Sequence, residues 1–261
     1  MDAEIAVIGG TGSIDPAELQ DARRVEIKTP FGNPSDEITL GTFQGRKLAF
    51  LPRHGKLHAL APHQINYRAN IFALKSLGVQ RILSPCAVGS LQKQIRPGDF
   101  VIADQFFDFT RGRERTFYES GRVCHISVAE PFCPELRSVA GAVAKALSFS
   151  HHTQGTYVCI EGPRFSTKAE SLFFRAFGHV VGMTLVPEAV LAREAEICYV
   201  PIAMVTDWDV WKEEPVSIEK VVATMNANTE KIKKLLQYAL PRIPAQRACG
   251  CKDALKHAFV A

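Results

Sequence analysis

Five times along the chain an apolar run rich in β-branched residues stops at a glycine or polar turn. The stops fall at Gly9-Gly10-Thr11-Gly12, Pro52-Arg53-His54-Gly55, Cys86, Glu161 and Asp207. Helical patterns separate these runs, and that alternation specifies an α/β fold. No Gly/Ser/Pro-rich linker or shift in composition divides the 261 residues, so a single domain over 1–261 is expected: one mixed β-sheet flanked by helices. In open α/β sheets ligands lie at the carboxyl ends of strands, which would gather the five turns around one pocket.

Residues 5–8, 47–51, 81–84, 100–103, 156–160 and 199–205 read as strands, the third turning at Ala87-Val88-Gly89-Ser90. Residues 63–77 read as a helix, because Ile65, Ala69, Phe72, Ala73 and Leu77 keep a helical register and Gly78 stands where a C′ glycine belongs. Helices are also expected over 134–148, from Pro187 to 195, and over 218–239. Thr167-Lys168-Ala169-Glu170 has the form of a capping box opening another.

With 46% hydrophobic and 22% charged residues the composition is that of a globular domain. The net charge of +4 is mild and its basic residues are scattered, apart from Arg111-Gly112-Arg113-Glu114-Arg115. Nucleic-acid binding needs a clustered basic face, so a small anionic substrate is the better expectation. No run approaches the ~20 apolar residues that span a bilayer, and Met1-Asp2-Ala3-Glu4 lacks the basic start of a signal peptide. A cytoplasmic protein without a membrane partner is expected.

Seven cysteines (Cys86, Cys124, Cys133, Cys159, Cys198, Cys249, Cys251) are too dispersed for a disulfide scaffold. Two readings stay open: free thiols, or an oxidised Cys249-Gly250-Cys251 with a Cys133–Cys198 bridge. Cys249-Gly250-Cys251 is too tight for a usual zinc knuckle and no Cys-x-x-Cys pair occurs. His54, His58, His63 and His125 lack an HExxH pattern or carboxylate partners at usable spacing, so no metal is expected.

Gly9-Gly10-Thr11-Gly12 lets backbone amides and the Thr11 hydroxyl approach an anion. It is neither GxGxxG nor a P-loop. Arg53-His54 at a strand end offers a fork for phosphate oxygens and a second donor. Asp207 and Asp209 lie two apart after a buried strand. In continued extended backbone both carboxylates point to one side, and crowding in an apolar mouth with Trp208 and Trp211 should push their pKa values apart. One would donate to a basic ring nitrogen and the other accept from an amino group, matching the N7 and N6 edge of adenine. Phe165 and Met183, in glycine- and proline-interrupted segments, suit the walls of a base or ribose site.

These segments, in this order, resemble the archaeal-type 5′-methylthioadenosine phosphorylases of the trimeric purine nucleoside phosphorylase superfamily. The resemblance is carried by Ile8-Gly9-Gly10-Thr11-Gly12, Thr29-Pro30-Phe31-Gly32, Arg53-His54-Gly55, Asn66-Tyr67-Arg68-Ala69-Asn70, Val123-Cys124-His125-Ile126, Glu161-Gly162-Pro163-Arg164-Phe165-Ser166, Gly182-Met183-Thr184 and Thr206-Asp207-Trp208-Asp209. It implies phosphate contacts from Thr11, Arg53, His54, Cys86, Ala87 and Thr184. Cys86 stands where the family often has a hydroxyl residue, so its contact would come through backbone. Met183, Asp207, Trp208 and Asp209 would bind the nucleoside, with Asp207 and Asp209 catalytic. Phe165, Ile218, Val221 and a neighbouring subunit's copy of His125 would shape the pocket for the 5′ group. The resemblance further implies phosphorolysis of 5′-methylthioadenosine with inorganic phosphate as co-substrate and no other cofactor, in a homotrimer or dimer of trimers. A broader purine nucleoside phosphorylase acting on adenosine, inosine or guanosine is the alternative. The tail from about 243 would be a lid or interface segment.

Overall fold

The computed structural model describes residues 2–10, 18–212 and 218–260, apart from the side chains of 218, 220–222 and 225. Thr11 and the side chains of Ile218 and Val221 therefore lie outside the described residues. The strands are β1 (Ile5–Gly9), β2 (Gln20–Val25), β3 (Ile38–Phe43), β4 (Arg46–Pro52), β5 (Arg81–Ser90), β6 (Phe100–Val101), β7 (Gln105–Phe109), β8 (His151–His152), β9 (Thr156–Ile160), β10 (Val180–Gly182) and β11 (Cys198–Asp207). The α-helices are α1 (Tyr67–Ser76), α2 (Pro134–Ala146), α3 (Lys168–Phe174), α4 (Glu188–Glu194) and α5 (Ile218–Ala239).

All strands join one mixed sheet. Strand β5 is its pivot. Its first residues pair in parallel with β1, its last two pair antiparallel with β10, and its other edge runs parallel to β11. Side chains alternate across β1: Ala6 and Ile8 enter one core with Ile71 and Leu74 of α1 and Leu191 of α4. Ile5 and Val7 enter a second core with Leu136 and Val143 of α2 and Leu235 and Leu236 of α5. Period-two alternation thus buries both faces of the sheet.

Local signals placed the helix ends. Asn66 caps α1 by accepting from the Ala69 amide, and Gly78 takes the left-handed backbone (φ 89°) expected after it. The helix begins four residues later than its apolar register suggests, because residues 62–64 form a separate 3-10 turn and Ile65 is extended. Thr167 and Glu170 form the capping box of α3.

Strand β5 departs from expectation: it continues through residues 87–90 where a turn was read. Strands β2, β3, β7, β8 and β10 fall outside the runs expected from the sequence. β2 is a charged, exposed edge strand, β7 is largely exposed, and β3 and β10 lie in mixed or very short segments. Among the described residues no helix is long and apolar enough to cross a membrane.

The tail returns to the body of the domain. Arg81 donates to Pro244 O (2.6 Å), Arg247 to Glu196 O (2.8 Å), and Cys249, Cys251 and Ala258 are buried. Leu235, with no exposed surface, carries the packing of α5 against the sheet. Leu235→Ala is expected to cost ~2–5 kcal/mol through the cavity it leaves, read as a lowered denaturation midpoint with unchanged m-value.

Candidate active site

Arg53 follows β4 and turns inward, almost wholly buried. Its Nε donates to Glu188 Oε2 (2.8 Å), and its Nη2 donates to Glu188 Oε1 (3.0 Å), Ser84 Oγ (2.6 Å) and Ile8 O (2.8 Å). Nη1 donates to Pro85 O (3.2 Å). Glu188 Oε1 also accepts from Tyr199 Oη (2.7 Å) and Ser84 Oγ (2.8 Å). Burial pulls the Arg53 pKa down and Glu188 more than reverses it, so the guanidinium stays charged.

This corrects one expectation. The two-pronged face of Arg53 grips Glu188, so an anion can meet it only through Nη1. Ser84, Tyr199 and Glu188 were not singled out as partners. Nothing local in the sequence shows that Glu188 faces an arginine 135 positions earlier.

His54 is held by a bond from Nδ1 to Leu60 O (2.8 Å) and stacks on His58 at 4.1 Å. Burial and then the Arg53 charge lower its pKa to about 4. The ring is therefore neutral at physiological pH, and with the Nδ1 proton given to a carbonyl, Nε2 is an acceptor. The expected second donor is thus a base, suited to a protonated phosphate oxygen.

Beside Arg53, Cys86 is buried and its thiol is pushed up to about 12, chiefly by burial. Ala87 is the one exposed residue of β5. Val180 faces Ser90 and Val181 faces Gly89, so the antiparallel course of β10 carries Met183 and Thr184 back toward Ala87 and Cys86. Thr184 is buried and Met183 half-buried. The Met183 thioether packs over Gly162, whose φ of 66° favours glycine and where a Cβ would come within 2.6 Å of Met183 Sδ. Arg113 fixes that loop by donating to Glu161 O (2.6 Å) and Val186 O (2.5 Å). It belongs to the basic run, yet it is a buried staple rather than part of a surface patch.

At the other end of β5, the pairing with β11 shifts between Val205 and Asp207, so that Asp207 stands opposite Gly89. Such a bulge re-aims a side chain at the end of a strand. A Cβ on Gly89 would lie 2.9 Å from Asp207 Oδ1. Asp207 Oδ2 accepts from Thr206 Oγ1 (2.7 Å) and Oδ1 from the Asp209 amide (2.7 Å).

Asp209 does not continue the strand. Its φ is 51°, and its carboxyl is turned inward and buried, where the Ser171 and Ser166 hydroxyls and the Val210 amide face it. Burial raises both carboxyl pKa values, and the Asp207 charge adds to the rise at Asp209. The two are shifted in the same direction, where the sequence suggested a division. Trp208 is half-buried, packs edge-on against Trp211 at 5.7 Å and carries Lys212 Nζ 3.7 Å over its ring.

From Pro85 to Gly89 the strand rise spans ~13 Å, with Ala87 open between an arginine-rich end and a carboxyl end. That is room for an anion, a sugar and a base laid along one strand. Phe165 is exposed (44%) on the loop after Gly162. His125 is also exposed, on a segment whose amide donates to Ala258 O (2.6 Å).

The sequence and the fold recur in known proteins. The family model described as the phosphorylase superfamily matches residues 4–241. The S-methyl-5′-thioadenosine phosphorylase of Nitrosopumilus maritimus is 56% identical over 98% of both chains. That of Pyrococcus horikoshii is 54% identical, over 98% of this chain and 99% of its own. A crystal structure of methylthioadenosine phosphorylase from an Antarctic soil metagenomic library superposes with a TM-score of 0.94 at 42% identity, covering 100% of this chain and 93% of that one. The Schistosoma mansoni methylthioadenosine phosphorylase in complex with adenine gives 0.91 at 39% identity, over 97% and 96% of the chains.

Two outcomes follow from the geometry. Glu188→Gln leaves Arg53 buried with its charge uncompensated and is expected to cost ~3–5 kcal/mol, measured by denaturant unfolding, with a raised KM for phosphate. Asp209→Asn is expected to stabilise the fold at neutral pH. A raised folded pKa means that stability is lost as pH climbs from the ordinary carboxylate range through the folded value. The gain should therefore vanish near about pH 3, where the carboxyl is protonated folded or unfolded. Identity, coverage and superposition together place the chain in the phosphorylase superfamily, among its S-methyl-5′-thioadenosine phosphorylases.

Proposed function

We propose that the chain catalyses phosphorolysis of 5′-methylthioadenosine, giving adenine and 5-methylthio-D-ribose 1-phosphate. The observation that carries the reading is strand β5, open at Ala87 between Arg53 and the Asp207–Asp209 turn. Phosphate sits at the Arg53 end, near Cys86, Ala87 and Thr184, and the family resemblance adds Thr11 as a further contact. His54 Nε2 accepts from a protonated phosphate oxygen, which orients the nucleophile. Breaking the bond between C1′ and N9 builds oxocarbenium character on the sugar. A phosphate oxygen then bonds to C1′, and the electron pair of the broken bond leaves on the purine.

Asp207 in its acid form gives a proton to N7, so that adenine departs neutral, and Asp209 accepts from the 6-amino group. The upward push of burial on the Asp207 carboxyl favours the acid form that this step needs. Met183 lies against the ribose, Trp208 flanks the base, and Phe165, Ile218 and Val221 line the 5′ pocket. His125, exposed on its own chain, is contributed by a neighbouring subunit of a homotrimer or dimer of trimers. Light scattering on the purified protein measures that state directly.

The solved S. mansoni relative is titled an adenosine/methylthioadenosine phosphorylase, so adenosine belongs among the substrates tested. Incubation with methylthioadenosine, adenosine, inosine and guanosine, with and without phosphate, should release adenine only when phosphate is present. Phosphate-independent release would make the enzyme a hydrolase instead. Asp207→Asn is expected to lose ~10²–10⁴-fold on methylthioadenosine and to gain relative preference for inosine. Full retention of the first activity with no gain in the second would remove Asp207 from its role.

A further inference from the structure

Four cysteines distant in sequence meet outside this site. Cys133 precedes α2, Cys198 opens β11, and Cys249 and Cys251 lie in the tail. All four are buried, and their sulfurs lie within 4.8 Å of one another. Cys249 Sγ is 3.4 Å from Cys198 Sγ and 3.6 Å from Cys133 Sγ. All seven cysteines of the chain are free thiols.

One sulfur at nearly equal distance from two others is an arrangement around a centre rather than a set of pairs. Zinc bound to four thiolates at ~2.3 Å places neighbouring sulfurs about 3.8 Å apart, close to the spacing found here. The surroundings suit the negative charge of such a group. Arg193 Nη1 stands 3.8 Å from Cys251 Sγ, and Cys133 sits at the N-terminus of α2, the positive end of the helix dipole. As neutral thiols the four would share weak donors with hardly a good acceptor among them. A tight Cys249-Gly250-Cys251 is a poor knuckle by itself, but it needs to provide only half of a site whose other half comes from α2 and β11.

We propose that Cys133, Cys198, Cys249 and Cys251 bind one structural zinc ion, revising the expectation of a metal-free chain. Binding converts four thiols to thiolates and releases four protons, with no change of oxidation state. The four-sulfur shell is closed, leaving no position for substrate, so the metal is a staple and not a catalyst. Its mechanical effect reaches further. The tail beyond Cys251 pairs with residues 123–125 through His125 N to Ala258 O (2.6 Å) and Val260 N to Val123 O (3.4 Å). Arg122 lies 3.4 Å over the Phe259 ring. The zinc therefore anchors the support of the His125 segment.

The test is elemental analysis of protein purified without chelator from defined medium, alongside mass mapping of alkylated cysteines. One zinc per chain is expected, with all four thiols alkylated after chelation under denaturing conditions. Chelator-stripped protein should melt at lower temperature and recover on adding zinc. Cobalt(II) added in its place should show the intense charge-transfer bands of a tetrahedral tetrathiolate. Cys249→Ser and Cys251→Ser should each drop zinc well below one per chain. Should these variants fail to fold, the metal content and cobalt spectrum of the wild type decide. Disulfide-linked peptides among the four, a different metal at full occupancy, or free thiols with a melting temperature indifferent to chelator and zinc would each overturn the proposal. None of these readouts depends on phosphorolysis.

Discussion

The ion pair between Arg53 and Glu188 ties together the strand ends on which the pocket is built. Arg53 comes from the end of β4 and reaches Ile8 O of β1 and Ser84 and Pro85 of β5, while Glu188 opens α4 and takes the Tyr199 hydroxyl from β11. Burying two charges carries a large desolvation penalty, offset only when the geometry is good and the remaining lone pairs and protons are satisfied. Here the acid accepts from arginine, serine and tyrosine at once. Apolar residues of similar volume could match the pair in stability, but they would not fix five elements at defined distances. The same pairing also neutralises most of the arginine's charge. A phosphate at this site must then draw on backbone amides and hydroxyls as well as on one guanidinium prong.

From that fixed end, β5 acts as a floor. Buried residues surround Ala87, and the small residues Gly89 and Gly162 make room for Asp207 and Met183. The bulge in β11 and the left-handed backbone of Asp209 then decide which carboxyl faces outward and which inward. The two acids thereby become different groups: one half-buried and twice hydrogen-bonded, the other buried against Ser166 and Ser171. The end of a rigid strand holds Asp207, which favours precise placement of a leaving base.

The tail shows the same economy of placement. Arg81, buried in β5, donates to the carbonyls of Pro244 and Ala245, and four cysteines converge where the tail crosses the start of β11. The end of the chain therefore reports on the centre of the sheet, and the segment bearing His125 rests on both.

The sequence by itself determined the alternation of buried strands with capped helices, the glycine at the end of α1, the capping box of α3 and the polar turns that close β4 and β9. Each of these is fixed by chemistry within a few residues: periodic burial, a side chain reaching its own backbone, or a conformation that glycine takes without strain. The family resemblance rested on those same turns. Tertiary structure alone decided that Arg53 faces Glu188, that β5 runs on through residues 87–90, and that Asp209 leaves the extended backbone of β11. It alone could bring Cys133 and Cys198 to Cys249 and Cys251, and place the charged β2 on the sheet's edge. The physical reason is that hydrogen-bond partners, desolvation and strand pairing belong to pairs of segments separated by tens to hundreds of residues. No local pattern records what a buried charge will meet on the other side of the core.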